Sequence, residues 1–350
     1  MSEKLVFTYN VNNAIREVLS ELQYDKCFVL CDENSYVHAG PMLASLQDLL
    51  SDVIVIPPTD FHKNLDTLTA VWQRLICGGA SRQSLLINVG GGVVTDLGGM
   101  AAATFKRGIR YINVPTTLLG IVDAAVGGKT GINFEGLKNE IGVFARPEAV
   151  LVTTEFMTTL PREELLSGYA EMIKHALIDG EEHYRDILGC DVINAWSTML
   201  PIIRRSIAVK QRLVELDPHE QSVRKMLNLG HTVGHAFESH ALAQGTPIRH
   251  GYAVAWGLVC ELLIAHRRLN FPSAIIYDLA RYIERYYGAY VITCNDYNDL
   301  YSYLLHDKKN YSGRLNFTLL RNLGDCVVDC HVTQDEVEIA LDFYRDLFHL

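Results

Sequence analysis

The sequence has 350 residues, of which 49% are hydrophobic, so it is long enough for two domains with substantial cores. It carries 31 lysines and arginines against 41 aspartates and glutamates, and the resulting charge of −10 argues against a nucleic-acid partner. No apolar run reaches transmembrane length and the N-terminus does not resemble a signal peptide, so we expect a cytoplasmic protein without a membrane partner.

The cysteines favour the same compartment. Eight are scattered along the chain, and Cys27 and Cys31 lie in an apolar strand-like run where small buried hydrophobes are expected. Cys326 and Cys330 have no second thiol pair nearby, so a zinc ribbon is disfavoured. Reduced thiols are typical of a cytosolic protein.

The first part of the chain alternates strand-like and helix-like segments. Short β-rich runs separated by helical periodicity indicate a parallel sheet covered by helices. The strand-like runs span residues 26–32, 52–58, 84–90 and 110–116, and a helical segment spans 65–76.

Three consecutive glycines, Gly90 to Gly92, end the third strand-like run and open an amphipathic stretch. Glycine lets backbone amides approach a phosphate, and a helix N-terminus favours negative charge. The dinucleotide pattern G-x-G-x-x-G is incomplete, because Thr95 stands at its last glycine position. The segment therefore predicts either a nucleotide phosphate site or a tight turn packed under the sheet. Asp32, which closes the first run, is either a ribose ligand or a turn or cap residue.

The segment 114–144 interleaves glycines with charged and amide side chains. Lysine on a glycine-rich loop suits anionic groups, and a solvated loop with ordinary surface lysines is the alternative. The cramped run "VGGKTG" favours the first interpretation. The side chains concerned are Asp123, Lys129, Asn133, Lys138 and Asn139.

Long helix-like stretches dominate beyond residue 157. We therefore predict an α/β domain over residues 1–157 and a helical domain over 158–350. Pro218 is expected to interrupt the helical pattern between the second and third of these stretches. The stretches span residues 161–178, 199–216 and 227–240.

Histidines are concentrated in and after the third stretch. His231 and His235 are four residues apart and share one helix face. The position after His231 holds Thr232, so the H-E-x-x-H pattern of zinc proteases is absent. Glu171 on an earlier helix, together with His231 and His250, would suit a catalytic zinc with an open position. Histidines that are merely buried and hydrogen-bonded are the alternative.

Taken together, these motifs resemble the 3-dehydroquinate synthases, which belong to the sugar phosphate cyclases. The resemblance covers nearly the whole chain, and "HGYAVAWG" and "DKK" complete it. Four blocks carry it: "GGGVVTDLGGMAAATFKRG", "VPTTLLGIVDAAVGGKTGIN", "SGYAEMIKHALI" and "RKMLNLGHTVGHAFES". It implies an N-terminal Rossmann-like NAD-binding domain of α/β class and an all-α C-terminal metal-binding domain.

The resemblance implies an activity as well. The expected substrate is an anionic sugar phosphate, 3-deoxy-D-arabino-heptulosonate 7-phosphate, which would become 3-dehydroquinate and phosphate on the shikimate pathway to aromatic amino acids. NAD would be reduced and reoxidised within one turnover, and zinc or cobalt would polarise the reacting oxygens. Another sugar phosphate cyclase, an NAD- and metal-dependent polyol dehydrogenase, and a non-catalytic nucleotide-binding module remain open as alternatives.

The resemblance assigns three sets of residues. It implies metal ligation by Glu171, His231 and His250, with His235 facing the substrate rather than the metal. It implies NAD contacts from Asp32, Asp60, Lys63, Gly91, Gly92, Val93, Asp96, Thr116, Thr117, Asp123, Lys129 and Lys138. It implies substrate contacts from Asp123, Lys129, Asn139, Lys174, Lys210, Arg224, Asn228 and His235, with the phosphate held by Arg107 and by Lys308 or Lys309.

Three further expectations concern single positions. Arg224 presents a planar fork that matches a carboxylate or a phosphate, although a surface arginine is its default interpretation. The arginine that matches Arg107 can come from the neighbouring subunit in the family, which favours a homodimer. Tyr252 and Asp60 depart from the family pattern, since many relatives have glutamate at both positions.

Overall fold

A computed structural model of the chain describes residues 4–305 and 315–350. The chain forms two compact units. The first comprises Met1–Pro161 and Ile193–Ile207, and the second comprises Arg162–Val192 and Ala208–Leu350. The single boundary after residue 157 stays a prediction from the sequence.

Among the described residues, eight strands belong to the first unit. They are β1 (Leu5–Phe7), β2 (Cys27–Asp32), β3 (Asp52–Ile56), β4 (Leu85–Gly90), β5 (Arg110–Pro115), β6 (Lys129–Phe134), β7 (Leu137–Phe144) and β8 (Ala149–Val152). Six of them form one sheet in the order β1-β8-β5-β4-β2-β3. All neighbours in this sheet run parallel, as the alternation of strand and helix signals predicts.

Helices cover both faces of this sheet. They are α1 (Val11–Ser20), α2 (Glu33–His38), α3 (Gly40–Ser45), α4 (Leu65–Cys77) and α5 (Gly92–Thr104). The alternating residues of β2 serve two cores: Val29 and Cys31 pack with α1 and α3, whereas Phe28 and Leu30 pack with α4 and α5. Burial on both faces explains why the strands are continuous apolar runs in the sequence.

The remaining two strands form a hairpin that the sequence analysis treated as a loop. β6 and β7 pair antiparallel, with Gly131 opposite Gly142. A Cβ atom on Gly142 would lie 2.3 Å from the carbonyl oxygen of Thr130, so this pairing requires glycine. The glycines that suggested a loop therefore permit two strands to approach closely.

The second unit is mostly helical. Its helices are α6 (Arg162–Asp179), α7 (Glu181–Gly189), the later part of α8 (Leu200–Leu216), α9 (His231–Ala243), α10 (His250–Leu269), α11 (Ser273–Tyr287), α12 (Tyr297–Leu305) and α13 (Gln334–Leu347). An antiparallel hairpin of β9 (Leu315–Asn322) and β10 (Asp325–Val332) accompanies them. Within residues 4–305 and 315–350, no helix combines the length and the apolar character that crossing a bilayer requires.

Helix α10 packs closely against α6 and α9. A Cβ atom on Gly251 would lie 1.9 Å from the carbonyl oxygen of Ser167 on α6, and one on Gly257 would lie 2.1 Å from the carbonyl oxygen of Gly230, the residue before α9. Close backbone approach at these glycines fixes the three helices relative to one another. His231 and His250 are the first residues of α9 and α10, so this packing also sets the distance between them.

Candidate active site

Helices α6, α9 and α10 of the second unit bring together three side chains whose atoms can ligate a metal ion. Oε1 of Glu171 on α6 lies 3.4 Å from Nε2 of His231 and 3.5 Å from Nε2 of His250. All three donor atoms lie within 4.8 Å of one another. Within the part of the chain that the structure describes, no group donates a hydrogen bond to this buried oxygen. The geometry brings together the three residues that the resemblance assigns to a metal.

The donor set fits a divalent transition metal. One carboxylate oxygen and two imidazole nitrogens leave a coordination position open, as catalytic zinc requires. Each histidine also has a partner at its other ring nitrogen. Nδ1 of His231 lies 3.1 Å from the carbonyl oxygen of Leu229, and Nδ1 of His250 lies 3.1 Å from Oε2 of Glu238. Both Nε2 atoms are therefore the ones presented to a metal.

The charges around Glu171 favour its ionised form. Burial raises the pKa of this carboxyl, but the ammonium of Lys174 opposes burial, and the pKa is held well below its ordinary value. Lys174, one turn further along α6, donates a hydrogen bond to Oε2 of Glu171. One carboxylate oxygen thus pairs with a buried lysine and the other faces the histidines.

The pKa values of His231 and His250 are shifted in opposite directions. Burial and the nearby Lys174 lower the pKa of His231 to about 3, which keeps its ring neutral. Burial also lowers the pKa of His250, but Glu238 and Glu171 outweigh it and raise the pKa to about 10. Without a metal, His250 is therefore the cation that lies between two carboxylates.

His235 lies beside these ligands. Its ring centroid is 5.5 Å from that of His231 and 5.9 Å from that of His250. His235, Glu238 and His250 also have donor atoms within 4.8 Å of one another. Glu238 follows His231 by two helical turns, which is the sequence signal that could have identified it, but the sequence analysis gave it no role.

Cationic side chains lie buried in the same unit. Lys174, Lys210 and Arg224 are 1%, 6% and 2% exposed. Helix α8 ends before Pro218, as predicted, and Arg224 follows on a short 3-10 turn, where its Nη1 donates to the Pro218 carbonyl oxygen at 2.8 Å. Asn228 ends this turn, and its Nδ2 donates a hydrogen bond of 3.0 Å to a carboxylate oxygen of Glu220.

Asp217 shapes the turn that carries Arg224, and the sequence analysis did not identify it. Its carboxylate accepts backbone hydrogen bonds from Gln221, Ser222 and Arg224 at 3.0, 2.6 and 3.2 Å. Desolvation raises the pKa of Asp217, but these amides outweigh it and lower the pKa to about 2. The aspartate is therefore an anionic anchor for the backbone of Arg224.

In the first unit, β2 and β4 meet where the strand order reverses. The connection after β2 leads to β3 on one side and the connection after β4 leads to β5 on the other, an arrangement that in such sheets opens a crevice at the carboxyl ends of the strands. Asp32 ends β2 and Gly90 ends β4. Gly91 precedes α5 without any side-chain cap, which leaves the first-turn amides of Gly92 and Val93 suited to a phosphate.

Residues next to this crevice have additional contacts. Oδ1 of Asp32 accepts a hydrogen bond from the amide of Ser35 at 2.7 Å and so caps α2, which was one of its two expected roles. The amide of Thr116 donates to the Gly90 carbonyl oxygen at 3.0 Å. A Cβ atom on Gly91 would lie 3.0 Å from Cγ2 of Thr117. Both threonines therefore adjoin the glycine turn.

Five further predicted residues of this unit form two polar groups that Asn133 connects, since its Nδ2 donates to Oδ2 of Asp60 and its Oδ1 accepts from the amide of Asn139. The Lys63 ammonium donates to Oδ2 of Asp96 and to Oδ1 of Asn139. Oδ2 of Asp60 lies 4.0 Å from Nζ of Lys138. Asn139, which was assigned to the substrate, is thus bonded to Lys63, which was assigned to NAD.

The other predicted residues have diverse settings. Arg107 is exposed with φ of 69°, and no described residue forms a hydrogen bond or ion pair with its guanidinium. Asp123 lies in the turn Gly120–Ala124, and Lys129 begins β6. Lys308 and Lys309 lie outside the described residues.

Tyr252 follows His250 by two residues and packs among aromatic rings. Its ring centroid lies 5.8 Å from that of Trp256 and 5.1 Å from that of Tyr287, both in edge-to-face arrangements. A tyrosine at this position therefore extends an aromatic cluster beside α10.

Comparisons with known proteins were decisive for the family. The sequence families described as 3-dehydroquinate synthase N-terminal and 3-dehydroquinate synthase C-terminal match residues 53–167 and 168–310. A 3-dehydroquinate synthase from Parabacteroides distasonis is 47% identical over 351 residues, covering 99% of each chain. The chain belongs to the 3-dehydroquinate synthase family. The family and the enzyme class predicted from the sequence are thereby confirmed.

Solved structures share the fold. The 2-epi-5-epi-valiolone synthase of Streptomyces hygroscopicus, solved with NAD+ and Zn2+, has a TM-score of 0.86 at 24% identity and covers 99% of this chain and 97% of its own. A 2-deoxy-scyllo-inosose synthase, solved with carbaglucose-6-phosphate, NAD+ and Co2+, has a TM-score of 0.85 at 24% identity, covering 97% and 96%. The predicted fold class is confirmed, and the β9–β10 hairpin is an addition to the helical part that the sequence analysis did not foresee.

Proposed function

We propose that this enzyme converts 3-deoxy-D-arabino-heptulosonate 7-phosphate into 3-dehydroquinate and inorganic phosphate, a step towards aromatic amino acids. The observation that carries the proposal is the convergence of Glu171, His231 and His250 beside the buried Lys174, in an enzyme of the 3-dehydroquinate synthase family. A protein that only bound nucleotides would have no need of this group.

The cofactors in this proposal are NAD and a divalent metal. NAD, bound with its phosphates at the glycine turn before α5, supplies a hydride acceptor that is regenerated in each turnover. A zinc or cobalt ion at the three donors supplies Lewis-acid polarisation of neighbouring substrate oxygens. The two fold relatives that were solved with NAD+ and with Zn2+ or Co2+ support both assignments.

Buried cations of the second unit suit the acidic groups of this substrate. We assign the substrate carboxylate to Arg224, whose guanidinium can bind both oxygens at once. Lys174 and Lys210 add positive charge in surroundings where burial strengthens electrostatic attraction. These cations explain how an acidic protein can bind a sugar that carries both a carboxylate and a phosphate. We assign the substrate phosphate to Arg107, Asn139 and either Lys308 or Lys309.

Proton movement does not require a single strong base. Elimination can use the departing phosphate as the base, because its oxygens lie near the proton that is removed. His235 is near His231 and His250 and can relay a proton in the later steps. This division agrees with the absence of a glutamate directly after His231.

Phosphate release tests the proposal directly. Metal-loaded protein with NAD should release inorganic phosphate from the heptulosonate phosphate without net accumulation of NADH, and a chelator should stop the release. His231→Ala serves as a matched control that lacks one metal donor. No phosphate release from the loaded wild-type protein would refute the function, and NADH formed in step with product would identify a polyol dehydrogenase instead.

Substrate comparison separates this reaction from those of other sugar phosphate cyclases. Sedoheptulose 7-phosphate and glucose 6-phosphate lack a carboxylate, so they cannot form the charge-assisted hydrogen bonds that a carboxylate would form with Arg224, and we expect much slower turnover with them. Arg224→Met should lower kcat/KM for the heptulosonate phosphate by at least about 100-fold. Equal turnover of all three substrates by the wild-type protein would contradict the assignment.

We further infer a cytoplasmic homodimer. All eight cysteines are free thiols, which supports a reducing compartment. The exposed guanidinium of Arg107, which no described residue engages, supports a role in a neighbouring subunit's phosphate site.

A further inference from the structure

His250 is held at both ring nitrogens by carboxylates from different helices. Its Nε2 lies 3.5 Å from Oε1 of Glu171 on α6, and its Nδ1 lies 3.1 Å from Oε2 of Glu238 on α9. The Glu238 side chain is 10% exposed, so this contact is largely shielded from water. The first carboxylate belongs to the proposed metal site, and no role has been given to the second.

We propose that Glu238 is a positioning residue that prepares His250 to bind the metal. Its carboxylate accepts the Nδ1–H hydrogen bond, which fixes the ring orientation and leaves Nε2 as the atom for the metal. A carboxylate behind an imidazole also makes the ring a stronger donor to a cation. The inference rests on the proposed metal site and deepens it.

The two histidines differ in a way that explains why His250 needs this support. His231 is anchored by the backbone carbonyl of Leu229, in the turn that leads directly into its own helix. His250 follows a loop that ends at Arg249, which provides no side-chain cap for α10. Its side chain is also 28% exposed, compared with 12% for His231. A charged acceptor on α9 therefore ties the more loosely held ligand to the helix that carries the other one.

A second metal ion at His235, Glu238 and His250 is the competing interpretation, because these donors also lie within 4.8 Å of one another. His250 would then have to bridge two cations through both ring nitrogens and lose both of its protons. The buried ammonium of Lys174 lies beside the first site and would add to the repulsion. The existing Nδ1 contact with Glu238 instead suits a single metal with an oriented histidine.

Metal affinity measures this role independently of turnover. Co2+ binding is followed by its visible absorption in competition with a chelator, for the wild-type protein and three variants. Glu238→Ala should weaken Co2+ binding by about 10- to 100-fold. Glu238→Gln keeps the volume and a neutral acceptor, so it should weaken binding by a smaller factor. Glu164→Gln is the matched control, since Glu164 accepts a hydrogen bond at 2.8 Å from Arg249, the neighbour of His250. The Co2+ affinity of this variant should stay within about twofold of the wild-type value.

A spectroscopic signature distinguishes positioning from general support of the fold. In the Co2+-loaded wild-type protein, the Nδ1 proton of His250 should exchange slowly with water and give a shifted resonance in the proton NMR spectrum. It should persist in Glu238→Gln and disappear through fast exchange in Glu238→Ala. If Glu238→Ala does not fold, as judged by melting of the metal-free protein, the comparison of Glu238→Gln with Glu164→Gln carries the test, and a larger loss of affinity in the former is expected.

Two results would overturn the inference. One is wild-type Co2+ affinity in the folded Glu238→Ala protein, or in Glu238→Gln where that variant carries the test. The other is two Co2+ ions per wild-type chain with loss of one in Glu238→Ala, which would make Glu238 a ligand. A protein that binds Co2+ in a Glu238-dependent way yet releases no phosphate would refute the proposed function and leave this inference standing.

Discussion

Glu171 divides its two carboxylate oxygens between different tasks. Oε2 accepts a hydrogen bond from Lys174, and Oε1 faces the Nε2 atoms of His231 and His250. A buried carboxylate without a cation would be costly, and a buried lysine without an anion equally so. The pairing therefore lets the residue stay ionised in an apolar setting while it keeps one oxygen available to a metal.

Asp217 holds Arg224 in place through a hydrogen bond to its backbone amide, not through its guanidinium. Its pKa of about 2 lies below its ordinary value of 3.8, so the ionised form stabilises the folded protein. This contribution is fully present above about pH 4 and is lost as the pH falls towards 2. Asp217→Asn should therefore reduce the free energy of unfolding at pH 7, and the gap from the wild type should narrow below about pH 4. Chemical unfolding at pH 7, 4 and 3 measures this.

The matched control for Asp217 is Asp278→Asn, at a side chain that is 56% exposed on α11. It should change stability little at any of the three pH values. Asp217→Asn should also raise KM for the substrate, because the turn that presents Arg224 loses its anchor. A gap between Asp217→Asn and the wild type that is independent of pH would show that the carboxylate charge is not what stabilises the turn.

At the scale of elements, α9 and α10 depend on one buried glutamate. Glu261 on α10 accepts hydrogen bonds from the amides of Gly230 and Val233 at 2.6 and 3.1 Å, at the start of α9. Gly230 at the N-cap has no side chain that could cap this helix, and a helix N-terminus favours negative charge. The helix that begins with His231 is thus fastened to the helix that begins with His250.

Glu261→Gln should destabilise the metal-free protein by about 1–3 kcal/mol, because an amide nitrogen would replace one of the two accepting oxygens. Urea unfolding of the metal-free protein gives this value. Glu284→Gln, at an exposed position of α11, is the control and should change stability by less than about 0.5 kcal/mol. Equal stability of the two variants would argue against a capping role for Glu261.

The glycine turn between β4 and α5 yields a prediction about NAD. A Cβ atom on Gly91 would lie 3.0 Å from Cγ2 of Thr117 and would also stand where a phosphate must approach the amides. Gly91→Ala should therefore weaken NAD binding by at least about 10-fold in a calorimetric titration. Gly40→Ala is the control, since a Cβ atom there would meet nothing within 4 Å. Unchanged NAD affinity in Gly91→Ala would place the phosphates elsewhere.

Elements with a strong periodic pattern could be predicted from the sequence, whereas those that depend on pairing could not. The buried strands of the large sheet are continuous apolar runs, and Pro218 marks the region where α8 ends. The β6–β7 hairpin escaped prediction because Gly131 and Gly142 matter only once the two strands face each other. The β9–β10 hairpin also escaped prediction.

At the scale of the whole molecule, family motifs identified the donors but not the groups that hold them. Glu171, His231 and His250 are 60 and 19 residues apart in the chain; their chemistry suited a zinc site, and the resemblance favoured that interpretation over histidines that are merely hydrogen-bonded. Asp217 and Glu261 act through hydrogen bonds that single-sequence patterns do not encode, and the spacing that places Glu238 on the same helix face as His231 does not reveal its contact with His250. Their identification required the positions of the backbone amides and ring nitrogens that they contact.

The proposed homodimer gives the last prediction, and it concerns Arg107. If this guanidinium completes the phosphate site of the neighbouring subunit, Arg107→Ala and His231→Ala should each be nearly inactive alone. A mixed dimer would contain one site with all metal donors and with Arg107 supplied by the partner. Random pairing of equal amounts, after dissociation and reassociation, should therefore restore about a quarter of wild-type phosphate release.

The complementation has a direct control and a clear contrary outcome. Mixing Arg107→Ala with Arg107→Ala/His231→Ala should restore nothing, because no subunit in that mixture can donate the arginine. If Arg107 instead acts within its own subunit, each mixed dimer contains one site without Arg107 and one without a metal donor, and no activity returns. Sedimentation of the mixtures checks that dimers have formed, so a lack of activity in assembled mixed dimers would assign Arg107 to its own chain.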